Sequence, residues 1–337
     1  MKHKSKLVTF GLVASILLAG CSSQSTSTNS ESGKELKEVK IGIDTAAGGS
    51  LQIRAANSEG YFNKQNINPK ISNFAYGIDT INALLTEQTD TGLAADYALL
   101  NSLNRGDLVV LSSLTHSTDE TIKKSEFLAV DGITKPSQLK GKRIGVAKGT
   151  VFEYDWAKYL EHLGIDEKDI KYVPYSTPDE ALVGVKKGDI DAILASGALL
   201  EKFKAIKGVH KIDDLSSAGV SVSSYLVANK TFVEKNPETV VNLLKAIKEG
   251  IAYVKENPDG TAEIAYKDLK IKKEDTLRDL KTSNYTLEFT QEDIDHLIEM
   301  KKWLLDRGLL KKDYNLEDKL ALDALQKAFP EAETYEK

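Results

Sequence analysis

The fold is decided by the stretch VKIGIDTAAGGSLQIRAANSEG, residues 39–60. The apolar residues at its start alternate with small or polar ones, as Ile41 and Ile43 do, and this period of two predicts a half-buried strand. The small residues that follow, ending in Ser50, lead into a helix that we expect to stop near Gly60. A strand joined to a helix by a short turn is half of a βαβ unit. The stretch therefore predicts an α/β protein with mixed, mainly parallel sheets.

The same alternation continues along the chain. Short β-branched or apolar runs predict further strands over residues 91–95, 108–114, 127–130, 143–146, 170–175, 190–194, 209–212 and 221–228. Stripes at helical spacing lie between them, over residues 78–85, 99–103, 152–163, 181–185 and 199–206. Beyond residue 228 the pattern is almost wholly helical, and Thr290 with Asp293 forms a capping box that opens one of these helices.

The elements divide into two lobes. A proline and a polar turn at Lys135-Pro136 interrupt the pattern and open a second block. Helices without strands cannot form a third α/β lobe, so we expect the C-terminal helices to pack onto the first one. The predicted lobe 1 is discontinuous, over residues 39–130 plus 225–337, and lobe 2 covers residues 131–224. The chain then crosses between the lobes twice, near Asp131 and near Ser224, and two crossings form a hinge.

The N-terminus predicts export and a lipid anchor. Three Lys residues precede an uncharged apolar run that ends at Gly20, which is the pattern of a signal peptide over residues 1–20. This run is too short to span a bilayer as a stable helix, which needs about 20 apolar residues. Its end, Leu18-Ala19-Gly20-Cys21, resembles the lipobox of bacterial lipoproteins, which implies cleavage before Cys21 and lipidation of its sulfur. Residues 21–38 read as a flexible tether, and the protein is expected on the extracytoplasmic face of the cell membrane.

Charge and cysteine content exclude several classes of protein. The 337 residues carry a formal net charge of -5, and loss of residues 1–20, which hold three Lys and no acid, moves it to -8. No basic excess indicates a nucleic-acid partner. A single Cys excludes disulfide frameworks, Cys-rich zinc sites and iron–sulfur clusters within the chain.

Signatures of catalysis and of metal binding are missing from the sequence. It contains no phosphate loop, no dinucleotide fingerprint and no nucleophile elbow. No pair of its five His residues has the i, i+4 spacing of a helical zinc site, so each is expected at the surface rather than in a ligand set. We therefore predict no catalytic residue, no metal and no cofactor.

Small and polar residues recur where a strand hands over to a helix. In open α/β sheets, ligands bind at the carboxyl ends of strands, where helix N-termini present free backbone N–H groups. Each junction taken alone is a turn with an N-cap, but facing each other across a hinged pair of lobes they predict a binding cleft. Five such junctions stand out, over residues 44–50, 76–80, 94–97, 148–153 and 195–198.

Several motifs together resemble one family. Glu59-Gly60-Tyr61-Phe62 followed by Asn66-Ile67, Leu139 to Val146 followed by Lys148-Gly149-Thr150, and Gly188-Asp189-Ile190-Asp191-Ala192 are similar to stretches of periplasmic-type binding proteins of the nitrate/sulfonate/taurine and thiamine-precursor class. The resemblance runs from about residue 39 to residue 310. It departs at Asn66-Ile67, where Gly-Leu is usual, and at residues 86–90, where a Gly usually precedes the Asp.

The resemblance implies a two-lobe periplasmic-binding-protein fold, type II-like, whose lobes close on a small solute. Its partners would be that solute, an ABC permease with its ATPase and, through the lipid, a membrane; the protein itself would be a monomer. Solute contacts to both lobes would stabilise the closed state, which the permease reads. Carried onto this sequence, the expected ligand contacts are Asp44, Thr45, Ala46, Gly77, Ile78, Asp79, Asp96, Tyr97, Thr150, Val151, Glu153 and Ser196, with Ser223 and Tyr225 at the hinge.

The sequence leaves the ligand open between two chemistries. Helix N-termini with the hydroxyls of Ser50, Thr80 and Thr150 suit a sulfonate, taurine or nitrate. Four carboxylates among the expected contacts would repel an anion and, with nearby aromatic rings, suit an aminopyrimidine such as a thiamine precursor. The same carboxylates could instead cap helices and never touch the solute.

Two other functions are weighed against solute import. Fungal pyrimidine synthases resemble the same class, but they carry a Cys-rich segment that this chain lacks, so an enzyme is not expected. The alternative is a surface adhesion or sensor lipoprotein without a transport role, which would need an exposed interaction patch and no closed pocket.

Overall fold

The computed structural model of the chain describes residues 36–45 and 50–335. The predictions for the signal peptide, for Cys21 and for Ala46 lie outside these residues. Within the described ranges, no helix combines the length and the apolar character needed to cross a membrane.

Eleven strands of the described chain form two sheets. The strands are β1 Lys37–Asp44, β2 Ile67–Phe74, β3 Thr91–Ala95, β4 Leu108–His116, β5 Glu126–Ala129, β6 Arg143–Val146, β7 Lys171–Pro174, β8 Ala192–Ala195, β9 His210–Asp214, β10 Ser223–Asn229 and β11 Asn284–Glu288. Sheet A has the order β11-β4-β10-β3-β1-β2, and sheet B has the order β7-β6-β8-β5-β9. In sheet A, β1 is parallel to β2 and β3, while β10 runs antiparallel to β3 and β4. In sheet B, β6 is parallel to β7 and β8.

Fourteen α-helices flank these sheets in the described chain. Most follow a strand directly, as βαβ units require. They are α1 Leu51–Ser58, α2 Tyr61–Lys64, α3 Gly77–Leu85, α4 Asp96–Leu100, α5 Asp119–Lys123, α6 Val151–His162, α7 Pro178–Lys187, α8 Gly197–Lys204, α9 Lys230–Lys235, α10 Pro237–Glu256, α11 Pro258–Leu269, α12 Lys273–Leu280, α13 Gln291–Asp306 and α14 Asp323–Ala328.

We call the part built on sheet A lobe A and the part built on sheet B lobe B. The chain passes from sheet A to sheet B between His116 and Glu126, and it returns between Asp214 and Ser223. The two crossings run side by side, because Ser117 N–H donates to the Val222 carbonyl at 2.9 Å and Val222 N–H donates to the Ser117 hydroxyl at 3.0 Å. This pair of segments has the form of a hinge.

The C-terminal helices pack on lobe A, with the long helix α10 against α1. The contact is so close that a Cβ at Gly250 would collide with the carbonyl oxygen of Gln52. The capping box predicted for α13 is confirmed, since the Thr290 hydroxyl accepts from Asp293 N–H and Asp293 Oδ2 accepts from Thr290 N–H.

Strand pairing corrects the sequence analysis at three points. Strand β5 pairs with β8 and β9 of sheet B, so its placement in the first lobe was wrong. Strand β11 extends the edge of sheet A beside β4, so the C-terminal block is not purely helical. Strand β2 was missed altogether. The other lobe bounds stay a prediction.

Candidate functional site

The carboxyl ends of the parallel strands of both sheets enclose a cavity of about 260 Å³. Lobe A contributes residues from the ends of β1, β3 and β4 and from the start of β10, and lobe B contributes α6 and the end of β8. A second cavity of about 530 Å³ adjoins it and shares Ser196, Ser283 and Tyr285 with it. The smaller cavity lies where the topology predicts a ligand, at strand ends between two lobes.

Sheet register sets the floor of the smaller cavity. Ser224 lies opposite Ala95 of β3 on one side and opposite Thr115 of β4 on the other. The hydroxyl oxygens of Thr115 and Ser224 are 2.6 Å apart and hydrogen-bonded. Because these residues end or begin their strands, their side chains line the cavity in one row.

Arg54 of α1 holds the end of β1 in place. Its guanidinium donates to the Asp44 carbonyl at 3.3 Å, to the Ser50 hydroxyl at 3.1 Å and to Asn73 Oδ1 at 2.7 Å. It also lies 3.7 Å from a carboxylate oxygen of Asp268. Burial lowers the pKa of Arg54, which Asp268 and Asp44 partly offset. This single buried side chain thus ties β1, β2 and α1 to the end of α11.

Asp44, at the end of β1, is one of two acidic residues that line the smaller cavity. Its Oδ1 is buried and has no hydrogen-bond partner among residues 36–45 and 50–335. Burial raises the pKa of Asp44 to about 7, and the nearby charge of Arg54 opposes this rise. Within the described chain, this oxygen therefore lacks the N–H donor that a buried carboxylate normally has.

Asp155 of α6, in lobe B, is the second acidic residue of this cavity. The residue is 2% exposed, it lines the same cavity as Asp44, and its Oδ1 has no partner within the described chain. Burial, reinforced by the charge of Asp96, raises the pKa of Asp155 well above its ordinary value. Asp155 was not among the residues predicted from the sequence. The available signal was an acidic residue on the helix face shared by Phe152, Trp156 and Tyr159, which is otherwise aromatic.

The other acidic residues expected at the site cap helices. Asp79 accepts from Tyr76 N–H at 3.1 Å before α3, and Asp96 accepts from Tyr97 N–H at 2.7 Å in α4. Glu153 accepts from Gly149 N–H at 2.8 Å before α6. These three carboxylates thus occupy backbone donors at helix N-termini, the groups that an anionic ligand would use.

The junction over residues 76–80 lies at the contact between the lobes. Ile78 packs against Gly149 of lobe B, and Tyr76 forms a small apolar cluster with Ala147. At Gly77 any side chain would meet the Ala94 backbone, with a Cβ only 2.9 Å from its Cα. Gly77, Ile78 and Asp79 therefore build the interface rather than line either cavity.

The remaining predicted residues separate into lining and buried groups. Val151 and Ser196 line the smaller cavity, and Thr45 lines the larger one. Tyr225 is fully buried against Phe289, with ring centroids 6.4 Å apart.

Thr150, Ser223 and Asp96 serve local structure. The Thr150 hydroxyl donates to the Ala147 carbonyl and caps α6, accepting from Phe152 N–H. Ser223 N–H donates to Asp96 Oδ2 at 3.0 Å. Asp96 is thereby bonded on both oxygens within lobe A.

Two histidines differ from the expectation of surface residues. His116 Nε2 lies 2.8 Å from Asp293 Oδ1, and His296 Nε2 lies 2.8 Å from Asp96 Oδ2. Burial alone would lower both pKa values, but hydrogen bonds to these carboxylates and the surrounding negative charges raise them above the ordinary value. Only His116 lines the smaller cavity, and its charge faces Asp293 and Glu288.

The lining is acidic overall. Among the described residues that line the smaller cavity there is no Lys and no Arg. The described lining of the larger cavity has one Lys, Lys202, against Asp179, Asp268 and Asp279. Among the described residues, no group of three or more His, Cys, Asp or Glu is placed to hold a metal ion.

Solved structures identify the fold. The chain shares its fold with the periplasmic aliphatic sulphonate binding protein SsuA of Escherichia coli, at 18% identity and TM-score 0.70, over 85% of this chain and 92% of that one. It also matches the alkanesulfonate-binding protein SsuA of Xanthomonas axonopodis pv. citri bound to MOPS, at 16% identity and TM-score 0.74, over 86% of this chain and 99% of that one. The protein therefore has the two-lobe periplasmic-binding-protein fold expected from its sequence.

The family is defined more narrowly by sequence. Residues 50–261 match the NMT1/THI5-like family model, and the chain belongs to that family. It is 28% identical over 222 residues to the 4-amino-5-hydroxymethyl-2-methylpyrimidine phosphate synthase THI12 of Saccharomyces cerevisiae. That match covers 62% of this chain and 64% of the yeast protein, which is less than two thirds of its length. The resemblance stated from the sequence motifs is thus confirmed.

Proposed function

We propose that this protein is the extracytoplasmic solute-binding lipoprotein of an ABC importer, and that it binds without chemistry. One observation carries the proposal: a cavity of about 260 Å³ at the strand ends is lined by residues of both lobes. A solute in that cavity touches both lobes at once, so its binding energy stabilises the closed state over the open one. The hinge formed by the two crossings permits that motion.

We assign the solute to the aminopyrimidine-like class rather than to the sulfonates. The N-termini of α4 and α6 border the smaller cavity, and the carboxylates of Asp96 and Glu153 already accept backbone N–H donors there. Asp44 and Asp155 line the cavity instead, and the Oδ1 of each is buried without a hydrogen-bond partner among the described residues. A ring that bears N–H donors satisfies such oxygens, whereas a sulfonate is repelled by them once they are ionised.

Binding rather than synthesis fits the residue set. The fungal relatives are named as synthases. This chain has one Cys, at the proposed lipid attachment point, and so lacks a Cys-rich segment of its own. We propose that lipidated Cys21 anchors the monomer to the cell membrane. The residues between Cys21 and β1, which begins at Lys37 and not at the predicted residue 39, would tether the lobes near the permease.

Ligand binding by the purified full chain in detergent tests the core of the proposal. Thermal melting is followed with taurine, MOPS, nitrate and 4-amino-5-hydroxymethyl-2-methylpyrimidine, because a ligand of the folded state raises the melting temperature. We expect a shift with the aminopyrimidine and none with the sulfonates or nitrate. A shift with a sulfonate alone would contradict the ligand class, and no shift with any solute would contradict the binding function.

Cells that produce the protein test transport and anchoring. Deletion of the gene should abolish uptake of the bound solute, and Cys21→Ala should move the protein from the membrane fraction to the soluble one. Uptake that survives the deletion would favour the adhesion or sensor alternative. A membrane-bound Cys21→Ala variant would remove the lipid anchor from the proposal.

A further inference from the structure

Two acidic residues from opposite lobes line one small cavity. Asp44 ends β1 in lobe A and Asp155 lies in the second turn of α6 in lobe B. Each has an Oδ1 that is buried and unpartnered among the described residues. We propose that Asp155, with Asp44, makes this cavity selective for planar cations of the amidinium type and that binding such a cation releases protons. The inference rests on the proposed function, since it concerns the same cavity.

Amidinium-type cations carry the N–H donors that the carboxyl oxygens of Asp44 and Asp155 do not find in the described chain. Planar N–H donors pair with carboxylates in a fixed geometry and with charge assistance, which makes these hydrogen bonds stronger than neutral ones. Asp44 and Asp155 contribute one carboxyl group from each lobe to the lining of the smaller cavity. Phe152 and Tyr285 line the same space and present aromatic rings to a cation. The volume of about 260 Å³ is at the small end for ligand pockets and suits a single ring.

The positively charged side chains near the two carboxyl groups are paired with other carboxylates. Arg54 faces Asp44 but is engaged by Asp268, and His116 is engaged by Asp293 and Glu288. Near Asp155 the described charge is the negative Asp96, which His296 in turn contacts. Other titratable groups that face these residues or line the cavity are the phenols of Tyr76, Tyr154 and Tyr285.

Proton release follows from the ionisation state of the empty cavity. Burial raises the pKa of Asp44 to about 7, so Asp44 carries a proton for part of the time near neutral pH. Burial raises the pKa of Asp155 in the same direction. When a cation binds, the O–H bond of a protonated carboxyl breaks, the proton passes to the buffer, and the carboxylate accepts N–H donors of the ligand. A rise in pH removes the proton in advance, so affinity for the cation increases with pH.

Benzamidine and its neutral isostere benzamide separate charge from shape. Titration calorimetry on the purified full chain in detergent, in phosphate and in Tris, measures affinity and proton release between about pH 6 and about pH 8. We expect benzamidine to bind at least about tenfold more tightly than benzamide, a difference of about 1.4 kcal/mol. Its affinity should rise with pH, and the apparent enthalpy should differ between the buffers because protons are released.

Variants assign the effect to Asp155. Asp155→Asn should reduce benzamidine affinity at least about tenfold and reduce proton release, while benzamide binding stays the same. Asp189→Asn, at an exposed acid of the same lobe, is the matched control and should change neither quantity. Thermal melting checks folding, and Asp44→Asn tests the opposite wall should Asp155→Asn fail to fold.

Distinct outcomes overturn the inference and the proposed function. Equal affinities for benzamidine and benzamide, a benzamidine affinity independent of pH, or unchanged binding by both Asp variants would each overturn the inference. If taurine or MOPS binds and benzamidine does not, the inference falls while solute binding stands. If none of these solutes binds, and deletion of the gene leaves solute uptake intact, both the inference and the proposed function are wrong.

Discussion

The phenol of Tyr97 donates a hydrogen bond to Glu153 Oε2 across 3.1 Å, and this bond joins lobe A to lobe B. Tyr97 lies in α4, directly after β3, and Glu153 lies in the first turn of α6, directly after β6. The same Glu153 oxygen also accepts from Gly149 N–H, just before α6. One carboxylate thus binds the backbone of its own lobe and the Tyr97 phenol of the other lobe. Closure of the lobes is therefore supported by contacts that exist without a solute.

Tyr97→Phe should weaken solute binding without changing the cavity. Removing one hydrogen bond to a partly buried carboxylate costs about 1 kcal/mol of the closed state, which corresponds to roughly fivefold weaker affinity. Small-angle scattering of the ligand-free protein should give a larger radius of gyration, because the open form gains population. Titration calorimetry with the solute found by thermal melting measures the affinity.

Tyr159→Phe is the matched control for that loss. The Tyr159 phenol donates to Asp213 Oδ2 at 2.9 Å, and both residues belong to lobe B. This variant loses a comparable hydrogen bond to a carboxylate, but the bond lies within one lobe and does not join it to the other. If the two variants change affinity and radius of gyration alike, Tyr97 has no special part in joining the lobes.

Asp155→Asn should stabilise the ligand-free protein at neutral pH. Folding raises the pKa of Asp155 through burial, so the folded state binds a proton that the unfolded state releases above about pH 4. Wild-type stability then falls as pH rises from about 4 towards the folded pKa, and the variant lacks this fall. We expect a gain of about 1–3 kcal/mol near pH 8 and almost none near pH 4. Urea unfolding at both pH values measures it, and a gain independent of pH would contradict the assignment.

The pairs His116–Asp293 and His296–Asp96 have an effect of their own on how stability depends on pH. Carboxylates raise the pKa of His116 and of His296, so their contribution to stability is fully present below about pH 6.5 and is lost as pH rises through the folded pKa. NMR titration should place both folded pKa values above the ordinary one. Asp293→Asn should lower the pKa of His116 and leave that of His296 less affected. An unchanged His116 titration in this variant would refute the pairing.

Pattern reasoning from the sequence succeeds where a strand is buried and fails at sheet edges. β3 and β6 have the bounds that their apolar runs predict, since a central strand must be apolar on both faces. Strand β2 was missed because only its first residue, Ile67, is fully buried and Pro69 interrupts the run, which an edge strand tolerates. Strand β11 is also at an edge and alternates over only five residues.

The sequence pattern brings some of its candidate residues to the smaller cavity but does not define their chemistry. Of the residues at the strand-to-helix junctions, Asp44, Val151 and Ser196 line that cavity. Sequence could not separate a carboxylate that caps its own helix, such as Asp79, from one left unpaired, such as Asp155. That difference depends on whether a backbone N–H lies within about 3 Å of the carboxylate oxygen, which is a property of the folded chain.

Gly250→Ala tests the packing of the C-terminal helices on lobe A. In a helix, alanine is intrinsically favoured over glycine by about 1 kcal/mol. Here the added Cβ would collide with the Gln52 carbonyl and lie 3.0 Å from the Ala56 Cβ, and a backbone atom cannot move aside as a side chain can. The collision should outweigh the propensity gain, and we expect a net loss of about 1–3 kcal/mol in the free energy of unfolding, measured with urea.

Gly106→Ala is the control, because its added Cβ would meet only the end of the flexible Leu85 side chain. This change should stay within about 0.5 kcal/mol of the wild type. A Gly250→Ala variant as stable as the control would mean that α10 does not press on α1 as described. In that case the wall of lobe A behind Asp44 would have more freedom to move than the close packing of these two helices implies.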